Sequence, residues 1–160
     1  MSHLAVRILI EDTIKAIDDS VLFAYARASD FNSLGIKEDK RVRLDPLRQT
    51  LDFGPDSYNL TKQYQIGMVF YKLDSMEGAE QDTALILDEM DSLSDSFINK
   101  LNVFSFTEDT TDQLSTQNTE ITSIRKDPVI KVTTDCCTGF IVQFNFTVPD
   151  TFNYCALYDR

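Results

Sequence analysis

The chain of 160 residues has one histidine, His3. A Ser-His or Cys-His arrangement needs an imidazole beside its nucleophile, so triad hydrolysis has almost no material to work with. The five glycines stand singly at 35, 54, 67, 78 and 139, and none opens a Gly-rich run ending in Lys-Ser or Lys-Thr. The backbone cradle that such loops offer to phosphates is therefore missing. The three cysteines are Cys136, Cys137 and Cys155. The odd count fits a reducing compartment, neighbouring cysteines rarely bridge, and with a single histidine the set falls short of a four-ligand zinc site. Cys136 and Cys137 are expected in a turn and at a strand end. No apolar run approaches the roughly 20 residues that a spanning helix requires. Met1 to Arg7 shows no basic segment leading into an apolar stretch, so no secretory signal is read. Asn59-Leu60-Thr61 and Asn145-Phe146-Thr147 match the glycosylation pattern, but on that reading they match by chance.

Acid outweighs base, 26 to 15, for a formal net charge of -11. Affinity for nucleic acid comes largely from Lys and Arg displacing counterions, so direct DNA or RNA binding is disfavoured. The acid is unevenly placed. Asp74, Glu77, Glu80, Asp82, Asp88, Glu89, Asp91 and Asp95 fall between Asp74 and Asn99 with no Lys or Arg among them. A basic stretch stands elsewhere: Lys37, Lys40, Arg41, Arg43 and Arg48, diluted by Glu38, Asp39 and Asp45. Such asymmetry is either a solvated face or one half of a contact in which complementary potentials fix register between copies.

Apolar residues at Val6, Ile10, Ile14, Ile17 and Val21 recur at steps of three and four, predicting a first amphipathic helix capped by Ser2 and ending near Asp18-Asp19-Ser20. Val21 to Tyr25 reads as a short strand, and Ser29 to Gly35 as a turn. Arg41 to Leu44 alternates as a strand, but Pro46 removes a backbone donor, so the strand is interrupted or lies at an edge, with Leu51 and Phe53 as its continuation. Gly54-Pro55-Asp56 is a turn. A long strand follows, with Tyr64, Ile66, Met68 and Phe70 on the core face.

A second helix places Ile86, Met90, Leu93, Phe97 and Leu101 on one stripe, with Asp82 as its cap and Lys100 at its negative end. Residues 107–118 are polar and form a long loop or arm. Ile121 to Thr133 reads as an irregular strand broken at Pro128, with Val129, Ile130 and Val132 partly buried. Phe140, Val142, Phe144, Phe146 and Val148 alternate with Ile141, Gln143, Asn145 and Thr147 and predict the closing strand, hairpin-paired with residues 129–133. Tyr154, Cys155 and Tyr158 belong to a terminal flap or a docking tail. The fold class is α+β: an antiparallel or mixed sheet with two amphipathic helices packed on one face, in a single domain over 1–160.

The remaining enzymatic option is carboxylate chemistry at Asp88-Glu89-Met90-Asp91, as a divalent-metal site or an acid and base pair. On a helix, however, Asp88 and Asp91 share the polar face while Met90 turns to the core, so a solvated surface is the simpler account. No cofactor is implied.

The order of elements resembles the small neck and tail proteins of tailed bacteriophages, the tail-terminator and head-to-tail connector or ring proteins, including those of phages of Bacteroides-like hosts. The likeness is carried by the helix from Leu4, the strand Ile66 to Lys72, the helix Thr83 to Asp91 and the closing segment Thr138 to Asp150. It implies a non-enzymatic virion subunit, made in the host cytoplasm, that closes into a homo-oligomeric ring. Its neighbours would be portal, connector or tail-tube proteins, without sequence-specific nucleic-acid or membrane binding. Lys40, Arg41 and Arg43 against Asp88, Asp91 and Asp95 of the next copy are the expected inter-subunit contacts, with 107–118 as a reaching arm. The alternatives are a small cytoplasmic adaptor with a protein partner and a carboxylate-metal enzyme.

Overall fold

The computed structural model describes residues 3–25, 39–53, 60–106, 120–132 and 136–149, with backbone alone at 52, 53, 60, 103–106 and 149. The expected Ser2 cap, the turns at 29–35 and 54–56, the loop at 107–118 and the tail with Cys155 lie outside the described residues. Those described form α1 (His3–Ile17), β1 (Leu22–Tyr25), β2 (Arg41–Leu44), β3 (Arg48–Phe53), β4 (Leu60–Leu73), α2 (Glu80–Phe106), β5 (Glu120–Val132) and β6 (Cys137–Pro149). The sheet runs β1-β2-β4-β6-β5, with β3 also paired to β4. The β1–β2 pair is parallel and the other pairs are antiparallel. This is the mixed α+β architecture expected from the sequence.

The centre of the sheet is the β4–β6 ladder, unbroken from Thr61↔Pro149 to Leu73↔Cys137. Both strands alternate with period two, so one register sends Tyr64, Ile66, Met68, Phe70, Val142, Phe144, Phe146 and Val148 to the same face. All eight are buried, sharing one core with Val6, Leu9, Ile10 and Ile14 of α1 and Met90, Leu93, Phe97 and Leu101 of α2. The Phe97 ring lies 5.7 Å from Phe70 and 6.1 Å from Phe144, tilted against both. Such offset aromatic pairs are worth about 0.5–1.5 kcal/mol each beyond the area they bury.

β2 and β3 line the same side of β4 and behave as one strand broken at Pro46. Leu44 stands opposite Met68 and Arg48 opposite Gln65, so Asp45, Pro46 and Leu47 face only Ile66 and Gly67. The extra residue makes a bulge, which tolerates a proline because no ladder amide is needed there. The Asp45 amide still donates to the Gly67 carbonyl at 2.9 Å.

Several sequence expectations need correction. α2 begins at Glu80, so Asp82 is its third residue instead of its cap, and it extends through Phe106. Lys100 therefore lies inside the helix. Its Nζ donates to the Ala16 carbonyl at 3.3 Å and serves the carboxyl end of α1 instead. α1 ends at Ile17, at the Asp18-Asp19-Ser20 end expected for it, so Val21 is buried from beyond the helix and not on its stripe.

β5 passes straight through Pro128, which pairs with Phe140. Proline is tolerated here because β5 is the last strand of the sheet. The breaks fall instead between Thr122 and Arg125 and between Val129 and Val132, where Ser123 (φ 57°) and Lys131 (φ 48°) take left-handed backbone. Each break inserts one extra residue, and Ile130 and Val132 emerge exposed, against the burial expected for them. Cys136 and Cys137 occupy the turn and first strand position expected, as buried thiols. Tyr71 and Cys137 form a second, smaller buried cluster with Leu22, Ala24, Val69 and Leu73.

Candidate functional site

The six residues expected to meet across subunits are placed very differently from one another. Arg41 is fully buried, because β2 is flanked by β1 and β4 and is not a sheet edge. Four residues of alternation do not distinguish an interior strand from an edge. Lys40, one residue earlier, directs Nζ to Asp18 Oδ2 at 2.8 Å and to Glu89 Oε1 at 3.5 Å. Arg43 Nε is 3.1 Å from Asp45 Oδ1. Asp91 and Asp95, one helical turn apart, both take Lys126 Nζ, at 2.5 and 2.6 Å. Asp88 is exposed, and among the described residues it makes no ion pair. Within the chain, then, four of the six are already in ion pairs and one has no surface to offer.

These pairs carry the largest electrostatic perturbations. The Lys40 hydrogen bond, helped by Ser20, holds Asp18 down to about 2, and the same contact raises Lys40. Burial would raise Glu89, but Lys72 and Lys40 outweigh it and hold the carboxyl below its ordinary value. Burial would lower Lys126, but Asp91 and Asp95 together raise it. Lys126 also lies over the Phe140 ring, 5.2 Å from its centroid. The contacts tie α2 to β2, β4 and β5, so they orient the helix layer on the sheet.

A buried knot joins the far end of β4 to α2 and β6. Asp74 Oδ2 accepts from Thr83 Oγ1 at 2.8 Å and from Thr138 Oγ1 at 2.9 Å, while Oδ1 accepts from the Ser75 amide at 2.7 Å. Thr138 Oγ1 in turn accepts the Lys131 amide at 3.0 Å, the backbone donor displaced by the second β5 bulge. Burial alone would raise Asp74. The Ser75 amide, the two hydroxyls and the charge of Lys131 outweigh it and hold the carboxyl below its ordinary value. Every polar atom of the knot named here has a partner, which marks it as a structural junction.

The open feature lies on the face of the sheet away from the helices. It is a depression of about 550 Å³ whose lining includes Asp45, Arg48, Gln65, Gly67, Arg125, Gln143 and Asn145. The register explains its make-up. Gly67 pairs with Gln143, which pairs with Arg125, and Arg48 pairs with Gln65, which pairs with Asn145. The flanking strands bulge at the same height, at Asp45–Leu47 on one side and Ser123–Ile124 on the other. Gly67 supplies the low point: a Cβ there would come within 3.3 Å of Asp45 Oδ2.

Arg48 and Arg125 stand on β3 and β5, three strand spacings apart, or about 14 Å at the usual 4.7–4.9 Å per strand. Guanidinium forks match carboxylates and phosphates, and carboxamides both donate and accept, so the depression is built to hold an acidic, hydrogen-bonding surface. Alternation with Ile66 and Met68 puts Gly67 on the outward side of its strand, but nothing in the sequence shows the depression. The available signal was a glycine inside a long strand, which costs stability unless something approaches closely.

The chain matches no protein-family model and no curated protein.

Proposed function

We propose that this chain is a ring-forming structural subunit of the neck or tail of a tailed bacteriophage, a terminator or connector that joins portal and tube. The reading rests on the order of elements described above and on one observation in particular. β5, thirteen residues long, ends the sheet with Ile124, Ile130 and Val132 exposed at 49%, 54% and 39%. Among the described residues only β6 pairs with it. A long edge strand with apolar side chains is a template for another chain, and soluble proteins blunt such edges unless a partner covers them. The opposite end of the sheet is β1, four residues in a parallel pair. The two edges are unlike, so a contact of β5 with the opposite edge of the next copy would be heterologous, and heterologous contacts close into rings or run on as filaments.

The test is the solution mass of the 18.2 kDa chain by light scattering across protein concentration, with electron microscopy of any large species. Discrete closed rings, lost on Ile124→Lys with Ile130→Lys, are the expected result. A chain that stays monomeric up to its solubility limit overturns the reading.

A further inference from the structure

We propose that the depression between Arg48 and Arg125 is the socket of the ring contact, and that it receives the acidic start of α2 from a second copy. This rests on the ring reading and adds, beside the β5 edge that carries Arg125, a second pair of surfaces to the same contact between copies.

The socket's own features come first. Its low point is Gly67, in the interior of a strand of fourteen residues where a side chain would meet Asp45. Arg48 is exposed, and among the described residues it makes no ion pair. Arg125 is 70% exposed at its side chain, and among the described residues its ion pair is with its near neighbour Asp127, Nε 2.7 Å from Oδ2. Asp45, the one carboxylate in the depression, is occupied by Arg43. The floor carboxamides Gln65, Gln143 and Asn145 supply further donors.

The matching surface is found by subtraction. Of the eight carboxylates between Asp74 and Asp95, Asp74 is in the buried knot, Glu89 is held by Lys72 and Lys40, and Asp91 and Asp95 are held by Lys126. Glu77, Glu80, Asp82 and Asp88 remain, all exposed and without an ion pair among the described residues. Glu77, Glu80 and Asp82 stand at the amino end of α2 and Asp88 about two turns further along it, where Met76 and Leu85 are also exposed, at 72% and 60%. This gives an exposed acidic surface with two apolar side chains, opposite in charge to the socket.

Placement then decides the symmetry. α2 packs on the inner face of the sheet, and the socket opens on the outer face. Two copies cannot place helix in socket reciprocally, because each would have to present both faces to the other at once. The contact is therefore heterologous, and it propagates from copy to copy until the rotation closes.

Two complementary variants test this. Arg48→Glu with Arg125→Glu makes the socket acidic. Glu77→Lys, Glu80→Lys and Asp88→Lys make the helix surface basic, with Asp82 kept for the first turn. Circular dichroism first checks that each is folded, and Gly67→Val, which fills the socket without changing charge, is a third probe. Each charge variant alone should show loss of the assembled species in light scattering, and so should Gly67→Val. An equimolar mixture of the two charge variants should regain assemblies of the parent's mass, because each acidic socket then meets a basic helix and each basic socket an acidic one. Assembly of the socket variant alone at the parent's mass overturns the inference, as does a mixture that stays monomeric. Either result with a parent chain that still forms rings leaves the ring reading standing, whereas a parent chain that never assembles removes both.

Discussion

Replacing Asp74 by alanine cuts the knot that joins β4, α2 and β6, and the loss can be worked from its bonds. The carboxylate accepts two buried hydroxyls, Thr83 at 2.8 Å and Thr138 at 2.9 Å. Hydrogen bonds to a charged group contribute about 1.5–3 kcal/mol each net, so the low end of that range gives about 3 kcal/mol for the pair. For a chain of this size each kcal/mol moves the melting temperature by about 2–4 °C, so Asp74→Ala should melt about 6–12 °C below the parent. The pH dependence follows from the direction of the shift. In the folded chain Asp74 is held below its ordinary value of 3.8, so its contribution is whole above that value and is lost as pH falls through the native one. The stability gap between parent and Asp74→Ala, read by urea unfolding followed by circular dichroism, should be constant from pH 7 to about pH 5 and close below pH 4. A gap under about 1 kcal/mol at pH 7, or one that stays open in acid, would refute the reasoning.

Two further outcomes follow from the geometry. An NMR titration should find the Asp18 carboxyl midpoint at about 2, so its contribution to stability is whole above the ordinary 3.8 and is lost as pH falls from there through about 2. Lys40→Met should return the midpoint toward the ordinary aspartate range, and an unmoved midpoint would mean that Lys40 does not hold it. Gly139→Ala should prevent folding or cost at least about 4 kcal/mol, in the range reserved for severe strain. A Cβ on Gly139 would fall 1.9 Å from the Phe70 carbonyl oxygen and 2.8 Å from the Tyr71 Cα, both backbone atoms of the central ladder that cannot yield locally. Soluble expression and thermal melting decide this, and a variant melting within a few degrees of the parent would refute it.

What could be read in advance was what repeats. The alternation along Tyr64 to Phe70 and Phe140 to Val148 survives in the structure because their ladder has no bulge, so one parity holds from end to end. The stripe from Met90 to Leu101 survives for the same reason on a helix. The errors lie where a single residue breaks the period. Ser123 and Lys131 adopt positive φ although neither is glycine or asparagine, the residues that usually announce it. Each shifts the parity of β5, and Ile130 and Val132, expected to be partly buried, are exposed. Pro128 was an audible signal with the wrong meaning: it marks an edge, and the strand continues through it.

The charge map shows the same limit at longer range. Lys126 lies 35 residues from Asp91 in the chain, yet it closes the pair with both Asp91 and Asp95. No spacing rule connects them; the β5–β6–α2 packing does. That packing also decides which carboxylates face outward, because Asp91 and Asp95 turn toward β5, Glu89 turns toward Lys72 and Lys40, and Asp88 turns to solvent. A basic stretch and an acidic stretch can be counted from sequence, but their surplus cannot, since Lys40, Arg43, Glu89, Asp91 and Asp95 cancel inside one copy. Among the described residues, Arg48 and the largely exposed Arg125 on one face and Glu77, Glu80, Asp82 and Asp88 on the other are left to meet a neighbour. Because they lie on opposite faces, any assembly they direct has a polarity, which is what a ring between a portal and a tube requires.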